Sequence, residues 1–225
     1  MSKTAAETIF SELTEVPVPH LLDPLSIYRR SIFHVTPILE GRRFIDLRAA
    51  AKNTHPMAER NREGLLAAAE EFARWKHQHQ FRRDGVTPYF AHPKAVMTIL
   101  KNEFGVTDVD TLAAGLLHDT IEDTATDYDE VSERFGSRVA DFVAVLTKDK
   151  RLPEARREKD YFAQLSRAPL PARLCKIADS LHNVRDSDKS HRPKAAKKAM
   201  KLLRLYKGAR GLERPMALLR AELKK

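Results

Sequence analysis

The sequence predicts an all-α protein from about residue 61 onward, and three observations carry that expectation. Apolar residues recur at three- and four-residue spacing through most of this stretch. Strand-like alternation is scarce after residue 60. Gly85, Pro88, Gly136, Gly208 and Gly211 fall at joints between periodic segments. Of the 225 residues, 42% are apolar and 32% charged, a soluble globular balance. No stretch approaches the roughly 20 apolar residues of a membrane span. The first residues lack a signal-peptide core, so a cytoplasmic setting is expected. The single cysteine, Cys175, excludes an internal disulfide and a multi-cysteine zinc site.

Residues 1–60 read as an N-terminal extension of unknown role, and residues 61–225 as one domain. The extension holds five of the twelve prolines: Pro17, Pro19, Pro24, Pro37 and Pro56. Around Glu40-Gly41, residues 32–47 read as a small β-hairpin or as a mostly irregular arm. From residue 61, Leu65, Leu66, Ala69, Phe72, Ala73 and Lys76 make one face of an amphipathic helix. Trp75 and Phe72 are expected in the core, and His77 and His79 exposed at the helix end. After a loop at Asp84-Gly85, a helix starts near Pro93 and runs through Leu100. Residues 109–122 read as one buried helix. Residues 129–145 form an amphipathic pattern interrupted at Phe135-Gly136. Residues 161–165 and 172–184 follow. Two basic helices, 193–207 and 214–222, close the chain.

The net charge of +9 points at first to nucleic acid or another polyanion. Its distribution redirects that reading. Residues 187–225 hold 13 Lys/Arg against 3 Asp/Glu, and residues 1–186 hold 27 against 28. The surplus is a tail on a near-neutral body. Lys194, Lys197, Lys198, Lys201, Arg204 and Lys207 recur at helical spacing opposite Ala195, Ala199, Leu202 and Leu205. They read as a solvated helix face, as an attractor of an anionic nucleotide, or as an RNA or DNA contact.

The chemistry concentrates in Leu116-Leu-His-Asp-Thr-Ile-Glu-Asp-Thr124. His118 and Asp119 precede Glu122 and Asp123 by four residues, one helical turn. Acid beside an apolar run is costly unless a cation compensates it. Asp179 projects from the mostly apolar 172–184 segment, with Asn183 one turn later. A metal would satisfy that aspartate. His92 stands just before a helix start. Two imidazoles and two carboxylates make a mixed N/O set that suits Mn²⁺, Fe²⁺ or Zn²⁺ better than Mg²⁺ or Ca²⁺. Arg82 and Arg83 are suited to phosphate oxygens. Cys175 reads as a core residue and His182 as a structural hydrogen-bonding group. Lys148 reads as a phosphate contact or a solvated lysine.

The order His92-Pro93, Leu-Leu-His118-Asp119-Thr-Ile-Glu122-Asp123-Thr, and Ala-Asp179-Ser-Leu-His-Asn183-Val-Arg185 resembles the HD-superfamily hydrolases. Within them the likeness is to the RelA/SpoT type and its single-domain small alarmone hydrolases. It spans about residues 61–207 and includes Pro88-Tyr89, Phe135-Gly136 and Thr147-Lys148. Ser180 stands where the family usually has a basic residue.

The resemblance implies an HD-domain helical bundle holding one Mn²⁺, with His92, His118, Asp119 and Asp179 as ligands. It implies Glu122 and Asp123 as the pair that activates or orients water. Arg82 would pack on the base, Arg83 lie near phosphates and Asn183 near the ribose. The implied reaction removes the 3′-pyrophosphate of guanosine tetra- or pentaphosphate, leaving GDP or GTP. Adenosine alarmones are the close alternative, with a role as antitoxin to a cognate alarmone-synthetase toxin. A nucleotide or NADPH phosphohydrolase is a more distant one. A nucleic-acid-binding module using the basic tail is the non-enzyme alternative. No synthetase domain and no membrane partner are expected.

Overall fold

In the computed structural model, the backbone of residues 56–225 and the side chains of residues 64–225 are described. The hairpin expected at residues 32–47 lies outside the described residues. Among the described residues, ten α-helices run in order. They are α1 (Pro56–Lys76), α2 (Ala91–Thr98), α3 (Val109–Leu117), α4 (Thr120–Asp123), α5 (Tyr128–Phe135), α6 (Ser137–Leu146), α7 (Glu154–Arg167), α8 (Leu170–Arg185), α9 (Arg192–Leu205) and α10 (Glu213–Glu222). A π-helical turn, Ile99–Glu103, prolongs α2. No strand occurs among the described residues; an isolated antiparallel bridge joins Phe81 and Pro88. No described helix is long and apolar enough to cross a membrane.

Two helices form the centre. α3 packs against α1, α2 and α6, and α8 packs against α2, α3, α6, α9 and α10. Leu112, Ala113, Leu116 and Leu117 of α3 and Ile177, Ala178, Leu181 and Val184 of α8 are buried. Each fully buried Leu or Ile contributes about 1.5–3 kcal/mol of transfer free energy. Gly115 lets α3 approach the turn after α2: a Cβ there would lie 2.6 Å from Leu100 Cδ1. Two helix starts, those of α3 and α5, carry side-chain caps. Asp108 accepts from the Thr111 amide at 3.2 Å, and Asp127 from the Glu130 amide at 2.8 Å. Gly136, at φ +89°, separates α5 from α6 where the sequence predicts an interruption.

Three expectations change. The helix expected over residues 109–122 breaks after Leu117. The His118 Nδ1–H donates to the Gly115 carbonyl at 2.9 Å, and the Thr120 hydroxyl to the Leu117 carbonyl at 2.7 Å. These side chains satisfy carbonyls that a continuing helix would use, so the chain bends and restarts as α4. Trp75 is 51% exposed rather than in the core, edge-on to Phe72 with centroids 6.0 Å apart. Conversely, His77 is 1% exposed. The chain leaves α1 at Lys76 and turns inward, so the His77 ring lies 4.8 Å from the Tyr89 ring.

Candidate metal centre and active-site cleft

Each of the four expected ligands is positioned by its local chain. His92 is in the first turn of α2, set there by the 80–89 loop. In that loop the Asp84 carboxylate accepts from the amides of Val86 at 3.0 Å and Thr87 at 2.9 Å. Arg82 N–H donates to the Thr87 carbonyl at 2.7 Å, and Tyr89 N–H to the Gln80 carbonyl at 2.8 Å. Gly85, at φ +71°, makes that tight loop accessible. His118 and Asp119 occupy the break between α3 and α4. Asp179 is on the buried face of α8.

These side chains converge. Ligand atoms of His92, His118 and Asp119 all lie within 4.8 Å of one another. Asp179 Oδ1 closes the group, 3.1 Å from His92 Nε2 and 3.9 Å from His118 Nε2. Asp119 Oδ2 is 3.0 Å from His118 Nε2 and 3.7 Å from His92 Nε2. The His118 contact lacks hydrogen-bond direction, and this buried Nε2 has no hydrogen-bond partner. With Nδ1 donating to Gly115, neutral His118 presents a lone pair at Nε2. An orphaned nitrogen lone pair beside two carboxylates fits a divalent cation.

Neighbours orient this set. The Tyr89 hydroxyl donates to Asp119 Oδ2 at 2.5 Å. Lys176 Nζ donates to Asp179 Oδ2 at 2.6 Å, and Asn183 Nδ2 to Asp179 Oδ1. His92 Nδ1 meets His182 Nδ1 at 2.8 Å. When His92 Nε2 serves a cation, its Nδ1–H donates and His182 accepts, so His182 must be neutral. Burial and the nearby His92 draw His182 down to about 4, which keeps it so. Burial opposes charge on His118 too, but Asp119 and Asp179 outweigh it and hold the group up at about 9. A bound cation would replace that proton.

Beside the centre opens a cleft of about 380 Å³. Arg82, Arg83, Tyr89, His92, Asp119, Glu122, Asp123, Lys148, Asp179 and Asn183 all line it. Burial pushes the Glu122 carboxyl above its usual range, although the Lys148 amide donates to Oε2 at 3.0 Å. Asp123 pairs with Lys150, and its carbonyl accepts from Gln80 Nε2 at 2.7 Å. Arg82 is held by Asp186 at 2.6 Å and lies 5.6 Å from the Tyr89 ring centroid. Arg83 is exposed on the rim. Cys175 is buried in the core, as expected.

Several residues of this site escape a reading by motif alone. Lys176 is the counter-ion of Asp179 three residues on, a spacing visible in the sequence. His77 and Gln80 form a partly buried link to Asp123: His77 Nδ1 meets Gln80 Oε1 at 2.7 Å.

Comparisons with known proteins identify the family. Residues 69–209 match the family model described as HD domain. The guanosine-3′,5′-bis(diphosphate) 3′-pyrophosphohydrolase MESH1 of Mus musculus is 45% identical over 122 residues, covering 54% of this chain and 68% of that one. The enzyme of that name from Aquifex aeolicus, without the MESH1 label, is 39% identical over 143 residues, 61% of this chain and 20% of its own. A solved structure, of a metazoan ortholog of SpoT that hydrolyses ppGpp, superposes with TM-score 0.65 at 29% identity, covering 76% of this chain and 97% of its own. The chain belongs to the HD-domain family and, within it, to the RelA/SpoT type of hydrolase.

Proposed function

We propose that this protein is a metal-dependent 3′-pyrophosphohydrolase of guanosine tetra- and pentaphosphate, yielding GDP or GTP and pyrophosphate. One observation carries the reading: His92, His118, Asp119 and Asp179 converge around an orphaned imidazole nitrogen, next to a paired Glu122-Asp123 in an open cleft. The mouse relative that bears the name of this activity is 45% identical to this chain over 122 residues.

His92, His118, Asp119 and Asp179 would hold the ion; the mixed N/O donors suit Mn²⁺, Fe²⁺ or Zn²⁺, and the likeness to the RelA/SpoT type points to Mn²⁺. When bound, the ion supplies Lewis acidity toward a phosphoryl oxygen and acidifies a water. Glu122, with its proton affinity raised by burial, accepts a proton from the attacking water. Asp123, fixed by Lys150 and by Gln80, orients that water. Lys176 and Lys148 supply positive charge to the phosphates. Arg82 releases Asp186 to pack on the base, Arg83 meets phosphate oxygens and Asn183 reaches the ribose.

The test is turnover of guanosine tetraphosphate by the purified chain, first with a chelator and then with Mn²⁺ restored. Pyrophosphate release that stops on chelation and resumes with Mn²⁺ is expected. Absence of release by protein shown to have bound Mn²⁺ would refute the substrate assignment.

A further inference from the structure

The loop between α1 and α2 touches both the expected base contact and the water-handling pair. Two backbone bonds hold it as one piece: Arg82 N–H to the Thr87 carbonyl at 2.7 Å, and Tyr89 N–H to the Gln80 carbonyl at 2.8 Å. The antiparallel bridge of Phe81 with Pro88 lies between them. On one side Arg82 reaches α8, where its Nε and Nη2 donate to Asp186 Oδ2 at 3.1 and 2.6 Å. Two residues earlier, Gln80 reaches α4, and its carboxamide is used at both ends. Oε1 accepts from His77 Nδ1–H at 2.7 Å, and Nε2 donates to the Asp123 carbonyl at 2.7 Å. His77 is 1% exposed, so its packed ring keeps the carboxamide from turning over. The Asp123 carbonyl ends a four-residue helix and has no following turn to bond, so Gln80 supplies its partner. The other arm of the loop meets the same aspartate. The Tyr89 hydroxyl donates to Asp119 Oδ2 and lies 3.5 Å from Asp123 Oδ2. One braced loop thus holds Asp123 by its main chain, faces its carboxylate, and carries Arg82.

We infer that Gln80 is a positioning residue that couples recognition of the base to the handling of water. Arg82 has two places open to it: on Asp186, as in this structure, and on the base of a bound nucleotide. The bonded loop moves as a unit, so the place Arg82 takes is passed to Gln80, and from Gln80 to Asp123. A nucleotide with its base seated sets Asp123 for the attacking water, and a substrate without a base leaves it unset. Binding energy from a part of the substrate that does not react then appears in kcat rather than in KM alone. This assignment rests on the 3′-pyrophosphohydrolase reading of the cleft, with Arg82 at the base.

The experiment uses the full chain with Mn²⁺ and two substrates: guanosine tetraphosphate, and 1-deoxyribose 3,5-bis(diphosphate), which lacks the base. In Gln80→Glu the carboxylate still accepts from His77 but cannot donate to the Asp123 carbonyl. Its kcat for guanosine tetraphosphate should fall roughly a hundredfold, the cost of a small misplacement near the reacting atoms, toward the parent's kcat on the abasic substrate. KM for guanosine tetraphosphate and kcat for the abasic substrate should hardly move. Gln80→Met, of similar length and without either bond, should show the same split, which separates the lost bond from the added charge. Arg82→Ala should lower kcat for guanosine tetraphosphate in the parent and cost little more in the Gln80→Glu background, since both changes cut one link. Calorimetric Mn²⁺ affinity should be unchanged in Gln80→Glu. An equal fall in kcat on both substrates, effects that multiply in the double variant, or weakened Mn²⁺ binding overturns the proposal. So does a parent that turns over both substrates at the same kcat, whether or not the variants fold. If the Mn²⁺-filled parent turns over neither substrate, the cleft reading itself fails and the coupling falls with it.

Discussion

At Asp119 three demands meet in one carboxylate. Its Oδ2 accepts from Tyr89 and faces both imidazole nitrogens of the candidate centre. Burial would raise its pKa, yet His118 and His92 hold it well below the usual carboxylate range, so it stays an anion available to a cation. The Tyr89 hydroxyl fixes which way that anion points. Removing the hydroxyl in Tyr89→Phe should weaken Mn²⁺ binding by roughly tenfold, the low end for outer ligand-orienting groups. A metal titration followed by calorimetry reads this directly, and unchanged affinity would mean the tyrosine only packs. The six residues expected to bind metal or handle water come together in space; spacing alone leaves His92, Glu122 and Asp123 with ordinary surface readings, and the resemblance of the motif order is what singled out the set. Lys176, His182 and Gln80 were harder to see as a set, since their partners are identified only once distant segments meet.

At the level of elements, the break between α3 and α4 is what aims the site. Apolar periodicity alone runs straight through residues 109–122, because both helices keep the 3.6-residue pattern. What the pattern does not register is the pair of side-chain bonds to the Gly115 and Leu117 carbonyls. The same limit explains Trp75 and His77, which exchange places because the helix ends at Lys76. His77 then braces the turn from behind, through Gln80. Burial, the largest effect on it, lowers its pKa from 6.5 despite Gln80. The folded chain therefore binds this proton less readily than the unfolded chain. The stability this neutral histidine contributes is complete above about pH 6.5 and is lost as pH falls through its lowered folded value. His77→Gln should melt at a lower temperature than the parent at pH 7.5, and the gap should narrow by pH 5.5. Thermal melts in a chelator, at both pH values, check the sign; a gap that widens in acid would contradict it.

At the scale of the whole molecule, the basic tail proves to be structure as well as charge. The sequence separated it correctly as a +10 segment on a near-neutral body. Composition alone left open how much of it is core. Leu212, Met216 and Leu219 are buried against the bundle. Arg185 ties α8 to α10 through Glu222 at 3.1 Å, and to the π-turn through Glu103 at 2.6 Å. Arg192 donates to the Glu222 carbonyl at 2.9 Å. Three buried side chains at about 1.5–3 kcal/mol each approach the 5–15 kcal/mol of a typical domain. Deleting residues 209–225 should therefore abolish or greatly lower the cooperative melt seen by circular dichroism, rather than merely reduce affinity for anions. A truncated chain melting like the parent would show that α10 is an appendage.

The bundle, the tail and the bent helix all serve one claim, that this centre cleaves the 3′-pyrophosphate as a unit. Product identity tests it most directly. Guanosine tetraphosphate incubated with the Mn²⁺-loaded protein should give GDP and pyrophosphate in equal amounts, resolved by ion-exchange chromatography or phosphorus NMR. Orthophosphate as the first product, or intact substrate beside a filled metal site, would contradict the account.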